Sequence, residues 1–186
     1  QKAATALLVE ALRSLGGDVR AYIPHRVDEG YGVNCEALSA LAGEGVRLVI
    51  TVDCGIRSNA EIAFGKGQGL DIIVTDHHTL GEELPPALAC VNPRRPDSRY
   101  PFRELAGVGV AYKLAQALLL AEARVPYGGS TTPLSEESLL DLVAVGTVAD
   151  LAPLVGENRA LVARGLAKIN RQARLGGREQ SGEAAP

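Results

Sequence analysis

At 186 residues, of which 46% are hydrophobic, the chain is long enough to bury the core of one globular domain. Its three cysteines are odd in number and lack Cys-x-x-Cys spacing, which argues against a disulfide framework or a structural zinc site. A net charge of −3 excludes a uniformly basic surface, although a local basic groove is compatible with it. Neither a membrane span nor a signal peptide is evident, so we expect a cytoplasmic protein with no membrane partner.

The first segment of the sequence predicts a helix and then a strand. Apolar spacing indicates a helix over residues 3–15, and alternation of apolar with less apolar residues indicates a strand over 19–23. A polar loop over 24–34 follows, and loops that follow strands often bind ligands. The side chains of this loop that are available to a ligand are His25, Arg26, Tyr31 and Asn34.

The next segment has the pattern of a βαβ unit. Buried strands are predicted over 46–52 and 71–75, with a helix over 59–66 between them. The two strands of such a unit are parallel, so their carboxyl ends share one edge of the sheet. Asp53 and Asp76 directly follow these strands, and we expect both at that edge, where open α/β sheets bind ligands.

Two adjacent imidazoles, His77 and His78, follow Asp76. Carboxylate and imidazole donors at the ends of apolar segments suit Mn²⁺ or Mg²⁺ better than a thiolate zinc site. Asp150 is the single acid in another apolar stretch, so it has to be exposed, paired or bound to a metal. Taken alone, Asp53 and Asp150 also fit a turn residue and a helix end.

A fourth strand is predicted over 87–91, and a rigid basic loop over 92–96 follows it. Gly107 and Gly109 then open a long helix with Lys113 in its first turns. Such a helix start fits an anion, because glycine permits close approach and unpaired backbone N–H groups point outward. Glycine-led helix starts are also common packing devices, so both interpretations stay open.

The last part of the sequence is predicted to be helical. Ser135 is expected to cap one helix, and a basic helix follows from Glu157. Three cations of the basic helix share one face, which fits a solvated surface or a phosphate-backbone contact: Arg164, Lys168 and Arg171. From Leu175 the composition predicts an irregular tail.

Five motifs together resemble those of the DHH phosphoesterase superfamily, and within it those of the RecJ family of single-stranded-DNA-specific exonucleases. In chain order the motifs are Ile23-Pro24-His25-Arg26 with Glu29-Gly30-Tyr31-Gly32, Thr51-Val52-Asp53-Cys54-Gly55, Thr75-Asp76-His77-His78, Gly107-Val108-Gly109-Val110-Ala111-Tyr112-Lys113-Leu114 and Val145-Gly146-Thr147-Val148-Ala149-Asp150. The resemblance covers residues 1 to about 170. It implies an α/β fold with a doubly wound, mostly parallel sheet and helices on both faces.

The resemblance also implies a function. Two Mn²⁺ or Mg²⁺ ions would activate water for the 5′ to 3′ hydrolysis of single-stranded DNA, in DNA repair and recombination. Besides single-stranded DNA, the implied partners are a single-strand-binding protein and a RecQ-type helicase.

Carried over residue by residue, the resemblance implies a role for each motif. Asp53 would bridge the metal ions, and His77 and Asp150 would be further ligands. Asp76 would orient an imidazole, and His78 would face the scissile phosphate. Substrate contacts would come from Arg26, Tyr31, Gly107, Gly109 and Lys113. The Tyr31 ring would stack on a base.

Two parts of the family pattern fall outside this sequence. Its first strand and Asp-x-Asp-Gly loop would lie immediately before Gln1, and its DHHA1 and oligonucleotide-binding domains would follow residue 175. We therefore expect a DHH domain over 1–174 that lacks two metal-binding carboxylates and binds metal with reduced occupancy. Two alternatives stay open. One is a catalytically inactive remnant that binds nucleic acid or a partner. The other is a phosphatase acting on pyrophosphate, short oligonucleotides or cyclic dinucleotides.

Overall fold

The computed structural model describes residues 1–24, 32–126 and 134–181, with side chains described as far as Arg171. The helices are α1 Lys2–Ser14, α2 Cys35–Gly43, α3 Asn59–Gly67, α4 Gly107–Arg124, α5 Leu140–Ala149 and α6 Gly156–Ser181, with a 3₁₀ turn at Glu136–Leu139. The strands are β1 Leu48–Val52, β2 Asp71–Thr75 and β3 Ala89–Val91. Within the described segments, no helix is both long and apolar enough to cross a membrane.

The three strands form one parallel sheet in the order β1-β2-β3. Val52 pairs with Thr75, and Thr75 pairs with Val91, so the three strands end at the same level. The residues after β1 and β2 continue the ladder, because the Asp53 N–H donates to the Thr75 carbonyl and the Asp76 N–H to that of Val91. The predicted βαβ unit is confirmed, and it places the two acids at one edge.

Helices cover both faces of the sheet, which confirms the predicted fold class. On one face Ile50 and Val52 of β1 pack into a core with α1, α4, α5 and α6. On the other face Ile72 and Val74 of β2 pack with α2 and α3. Alternate residues of a strand point to opposite faces, so β1 also contributes Val49 to the second core. Burial of each large apolar side chain contributes about 1.5–3 kcal/mol.

Two helix starts have side-chain caps. The Asn34 carboxamide oxygen accepts from the Ala37 N–H at 2.7 Å, and the Ser135 hydroxyl accepts from the Glu137 N–H at 3.2 Å. A cap of this kind contributes about 1 kcal/mol. Ser135 is therefore a cap as predicted, and the first turn after it is a 3₁₀ turn that leads into α5.

The predicted strand over 19–23 is wrong, because the segment 17–24 has no regular structure. The Val19 carbonyl accepts two hydrogen bonds from the Arg13 guanidinium, at 3.2 and 2.8 Å. Tyr22 and Ile23 are 45% and 46% exposed, so the apolar alternation has no buried face. A period of two identifies which side chains share a face, but it does not supply a strand to pair with.

Two further predicted segments differ from the structure or lie beyond it. The backbone of α6 continues to Ser181, whereas the composition after Leu175 predicts an irregular tail. Arg26 and Tyr31, together with the rest of segment 25–31, lie outside the described residues.

Candidate metal centre

The site is built at the carboxyl edge of the sheet, and Asp53 lies at its centre. Asp53 has a φ of 62°, a left-handed conformation that costs an L-residue about 1–2 kcal/mol. The turn is held by the Thr51 hydroxyl, which donates to the Cys54 carbonyl at 2.8 Å, and by Gly55 with a φ of 101°. Strain retained at a buried acid is typical of functional sites.

Two carboxylates converge on one imidazole nitrogen. Nε2 of His77 lies 3.1 Å from Oδ1 of Asp53 and 3.4 Å from Oδ2 of Asp150. Asp150 reaches the site from the C-terminal cap of α5, where the next residue, Leu151, has a φ of 55°. The structure thus brings the three predicted ligands together, and their role as ligands remains a prediction.

Asp76 organises the neighbouring loop. It is 2% exposed, and its Oδ1 lies 2.6 Å from Nδ1 of His78. The same oxygen accepts from the backbone N–H groups of His77 and His78, at 2.8 and 3.2 Å. Oδ2 accepts from the Ile56 N–H at 3.0 Å. These contacts hold the two imidazoles side by side, with their ring centroids 4.5 Å apart.

The donor atoms fit a divalent cation. Asp53, His77 and His78 each offer a ligand atom, and the three atoms lie within 4.8 Å of one another. Mixed carboxylate oxygen and imidazole nitrogen donors suit Mn²⁺, and they suit Mg²⁺ less well. This compact group contains His78 where the resemblance implies Asp150. The two sets share Asp53 and His77, so either set describes the same place.

The charges of the site depend on one another. Burial by itself raises the pKa of Asp53, whereas the hydrogen bond with His77 lowers it, and the net shift of that pKa is downward. Burial lowers the pKa of His77, and Asp53 with Asp150 outweighs that effect and raises it. The pKa of Asp150 is raised by burial. A proton on His77 therefore balances the carboxylates, which is the position where a metal ion competes with it.

The predicted substrate residues of α4 make internal contacts. A methyl group at Gly107 would lie 2.6 Å from Cγ of Asp53, and one at Gly109 would lie 2.7 Å from the Leu105 side chain. The structure thus favours packing over anion binding for this glycine pair. Lys113 pairs with Glu157 at 2.6 Å.

The cations on α6 also have acidic partners. Arg164 lies 3.0 Å from Glu137, and Lys168 lies 2.9 Å from Asp141. The Arg164–Glu137 pair is exposed, and an exposed pair contributes between 0 and about 1 kcal/mol. Since two of the three cations contact the preceding turn and α5, the structure favours a packed face over a phosphate contact.

Sequence reasoning missed two buried asparagines beside the site. Asn92, which is 4% exposed, donates to the His78 carbonyl at 3.0 Å and accepts from the Arg94 N–H at 2.8 Å. Asn92 directly follows β3, just as Asp53 follows β1, and this shared position could have identified it. Asn158, which is fully buried, carries no comparable signal.

Known proteins resemble this chain in sequence. A family model described as "DHH family, N-terminal domain" matches residues 2–147. The single-stranded-DNA-specific exonuclease RecJ of Bacillus subtilis (strain 168) is 46% identical over 175 residues, which cover 94% of this chain and 21% of the relative. RecJ of Thermus thermophilus is 46% identical over 165 residues, which cover 89% of this chain and 23% of the relative. The chain thus spans less than a quarter of the length of either protein.

Solved structures also resemble the fold. A crystal structure of exonuclease RecJ bound to manganese has a TM-score of 0.71 and 46% identity, with 89% of this chain and 40% of that chain covered. A crystal structure of RecJ from Thermus thermophilus in complex with Mn²⁺ has a TM-score of 0.69 and 41% identity, with 90% of this chain and 22% of that chain covered.

Proposed function

This chain belongs to the DHH family, and from that premise we propose that it is the metal-binding part of an exonuclease that hydrolyses single-stranded DNA from 5′ to 3′. The observation that carries the proposal is the convergence of Asp53 and Asp150 on His77, beside a His78 that Asp76 holds. The names of the similar proteins support the substrate, and the Mn²⁺ in the two similar structures supports the ion.

Asp53, His77 and Asp150 would hold Mn²⁺ or Mg²⁺, with His78 close enough to join them. When bound, the ion supplies the Lewis-acid charge that activates water and stabilises the transition state of phosphodiester hydrolysis. Gln1 lies 3.0 Å from Asp53, so residues that precede it in a longer protein would enter the site there. We propose that an Asp-x-Asp-Gly loop at that point supplies two further carboxylates.

The protein's own part in the reaction centres on His78. Its side chain is 48% exposed, so it is accessible to a phosphate. Asp76 holds Nδ1, which leaves Nε2 to face the substrate. From there Nε2 donates a hydrogen bond to a phosphate oxygen or a proton to the leaving oxygen. Asn92 fixes the backbone of the same residue.

The remaining parts of the proposal concern substrate and partners. Arg26 would contact the phosphate backbone, and Tyr31 would stack on a terminal base. Lys113 would contact the strand from its place beside Glu157. We further propose a single-strand-binding protein and a RecQ-type helicase as partners, and a cytoplasmic location.

A nuclease assay on the complete protein that contains this chain tests the proposal. Mn²⁺-dependent release of mononucleotides from 5′-phosphorylated single-stranded DNA is expected, and His78→Ala should abolish it. Asp97→Asn, at an acid that pairs with Arg95, is the control and should keep the activity. Hydrolysis of pyrophosphate or cyclic dinucleotides with no attack on DNA strands would contradict the nuclease assignment.

A further inference from the structure

The start of α4 lies directly against the carboxylate of Asp53. The three atoms nearest to a methyl group at Gly107 would all belong to Asp53, with Cγ at 2.6 Å, Cβ at 2.9 Å and Oδ1 closer still. Real Cβ atoms essentially never approach other atoms so closely. A side chain at position 107 therefore requires that Asp53 or α4 move.

Asp53 has little freedom to move. It is 6% exposed, its φ is 62°, and its backbone N–H is bonded to the Thr75 carbonyl. The movement that remains is a rotation of the side chain, which would carry Oδ1 away from its position 3.1 Å from His77.

We infer that Gly107 is a positioning residue of the metal centre: the space left by its missing side chain sets the carboxylate of Asp53, and Asn158 holds α4 at that distance. The inference rests on the proposed metal site. It assigns Gly107 a role that acts through Asp53 and not through contact with the substrate.

Asn158 holds the segment that leads into α4. Its Nδ2 donates to the carbonyls of Glu104 at 2.7 Å and Pro153 at 3.1 Å, and its Oδ1 accepts from the Ala106 N–H at 3.3 Å. Ala106 immediately precedes Gly107, and Pro153 lies in the turn after Asp150. The fully buried amide of Asn158 thus connects the segment that leads to Gly107, next to Asp53, with the segment that follows Asp150.

Mn²⁺ affinity, measured by calorimetry, tests the inference. Gly107→Ala should weaken Mn²⁺ binding by about tenfold or more, the size of effect expected when the support of a ligand is lost. Gly65→Ala is the matched control, because its methyl group would meet the side chains of Ile72 and Leu38 in the core on the other face. That control should stay within about threefold of the unmodified chain. Equal Mn²⁺ affinity of Gly107→Ala and the unmodified chain would overturn the inference.

A second measurement needs no metal. Asp53→Gly removes all three atoms that a methyl group at Gly107 would meet, and glycine tolerates the φ of 62°. Gly107→Ala should therefore lower Tm by several degrees in the unmodified chain and by about 1 °C or less in the Asp53→Gly background. If Gly107→Ala alone does not fold, a folded double variant supports the inference and an unfolded one overturns it. Equal losses of Tm in the two backgrounds would also overturn it.

Asn158→Asp provides the corresponding test for the second residue. The change keeps the shape of the side chain but replaces the donating amide nitrogen with an oxygen. That oxygen cannot donate to the carbonyls of Glu104 and Pro153. Mn²⁺ affinity should fall about tenfold, and Asp53→Gly should not restore Tm, because this defect does not arise from a clash with Asp53. Unchanged Mn²⁺ affinity would remove Asn158 from the inference.

Failure of the proposed function gives a different result. If the unmodified chain shows no Mn²⁺ binding, the metal site fails, and the metal-free comparison of Tm still decides whether Gly107 positions Asp53.

Discussion

The acids Asp53 and Asp76 at the carboxyl edge of the sheet are buried, like the core under α2 and α3, but the two regions consist of different kinds of residue. The core is apolar and includes Leu38, Ile62 and Ile72, which are at most 2% exposed. The edge holds Asp53 and Asp76 within hydrogen-bond networks. An apolar core requires volume and shape, whereas a buried carboxylate requires particular donors at particular distances. The two regions should therefore respond to mutation in separate ways.

The largest effect on stability is expected in the core. Ile62 is fully buried, so Ile62→Ala should lower the free energy of unfolding by about 2–5 kcal/mol. Urea denaturation measures this loss. Mn²⁺ affinity should stay unchanged, because no ligand is displaced. Leu88→Ala, at a residue that is 66% exposed, is the control and should cost about 0.5 kcal/mol or less. Loss of Mn²⁺ affinity in Ile62→Ala would show that the two regions are coupled.

At Asp76, by contrast, a substitution is expected to lower the catalytic rate. The Asp76 carboxylate accepts hydrogen bonds from backbone N–H groups and contacts Nδ1 of His78, and Asp76→Asn removes one of its two acceptor oxygens. In the complete protein kcat should fall about 100-fold, while KM for single-stranded DNA changes little. Steady-state kinetics check this prediction. A loss confined to KM would indicate that Asp76 serves substrate binding and does not orient His78.

A smaller effect is expected at Asn92, which contacts the backbone of His78 and not its ring. Asn92→Ala should lower the nuclease rate about tenfold, because the imidazole keeps its bond to Asp76. An assay of the complete protein measures the rate, and Asn59→Ala provides a control, since the Asn59 side chain donates to the Glu83 carbonyl at 3.4 Å in an exposed contact. A rate equal to that of the unmodified protein would show that Asn92 does not position His78.

The smallest effect is the pH dependence of two quantities: the stability of the metal-free chain and its affinity for Mn²⁺. The pKa of His77 is raised above 6.5, so its stabilising contribution is complete below pH 6.5 and is lost as pH rises through the folded-state value. Mn²⁺ competes with that proton, so its affinity should rise by up to about tenfold per pH unit in the same window. Calorimetry in buffers of different ionisation enthalpy measures the released proton. Release of no proton would contradict competition at His77.

The strands that border both regions show how far a local sequence pattern predicts the fold. Apolar runs that end in acids identify β1 and β2 and place Asp53 and Asp76 at one edge, because parallel strands share their carboxyl ends. The alternation of apolar with less apolar residues over 19–23 gives a wrong prediction, because the carbonyl of Val19 bonds Arg13 and no strand of the described segments pairs there. Periodicity reports local geometry, and pairing depends on what lies beside the segment.

The contacts between distant segments lie beyond any local pattern. The approach of Asp150 to His77 is expected only from the family resemblance, because nothing in the spacing of the two residues requires it. The packing of Gly107 against Asp53 depends on how closely a helix approaches a strand end. Two of the three bonds of Asn158, those to Ala106 and Glu104, span 52 and 54 residues of the chain. Such features become visible only when the tertiary structure is known.

We propose that Asp53, His77 and Asp150 form a metal centre in this chain. Titration of the metal-free chain with Mn²⁺ in a calorimeter tests that proposal, with Asp53→Ala and the control Asp97→Asn measured in parallel. We predict a binding heat that Asp53→Ala removes and Asp97→Asn retains, because Asp97 pairs with Arg95, whereas Asp53 pairs with His77. No binding heat in the unmodified chain, or a heat that survives Asp53→Ala, would contradict the claim.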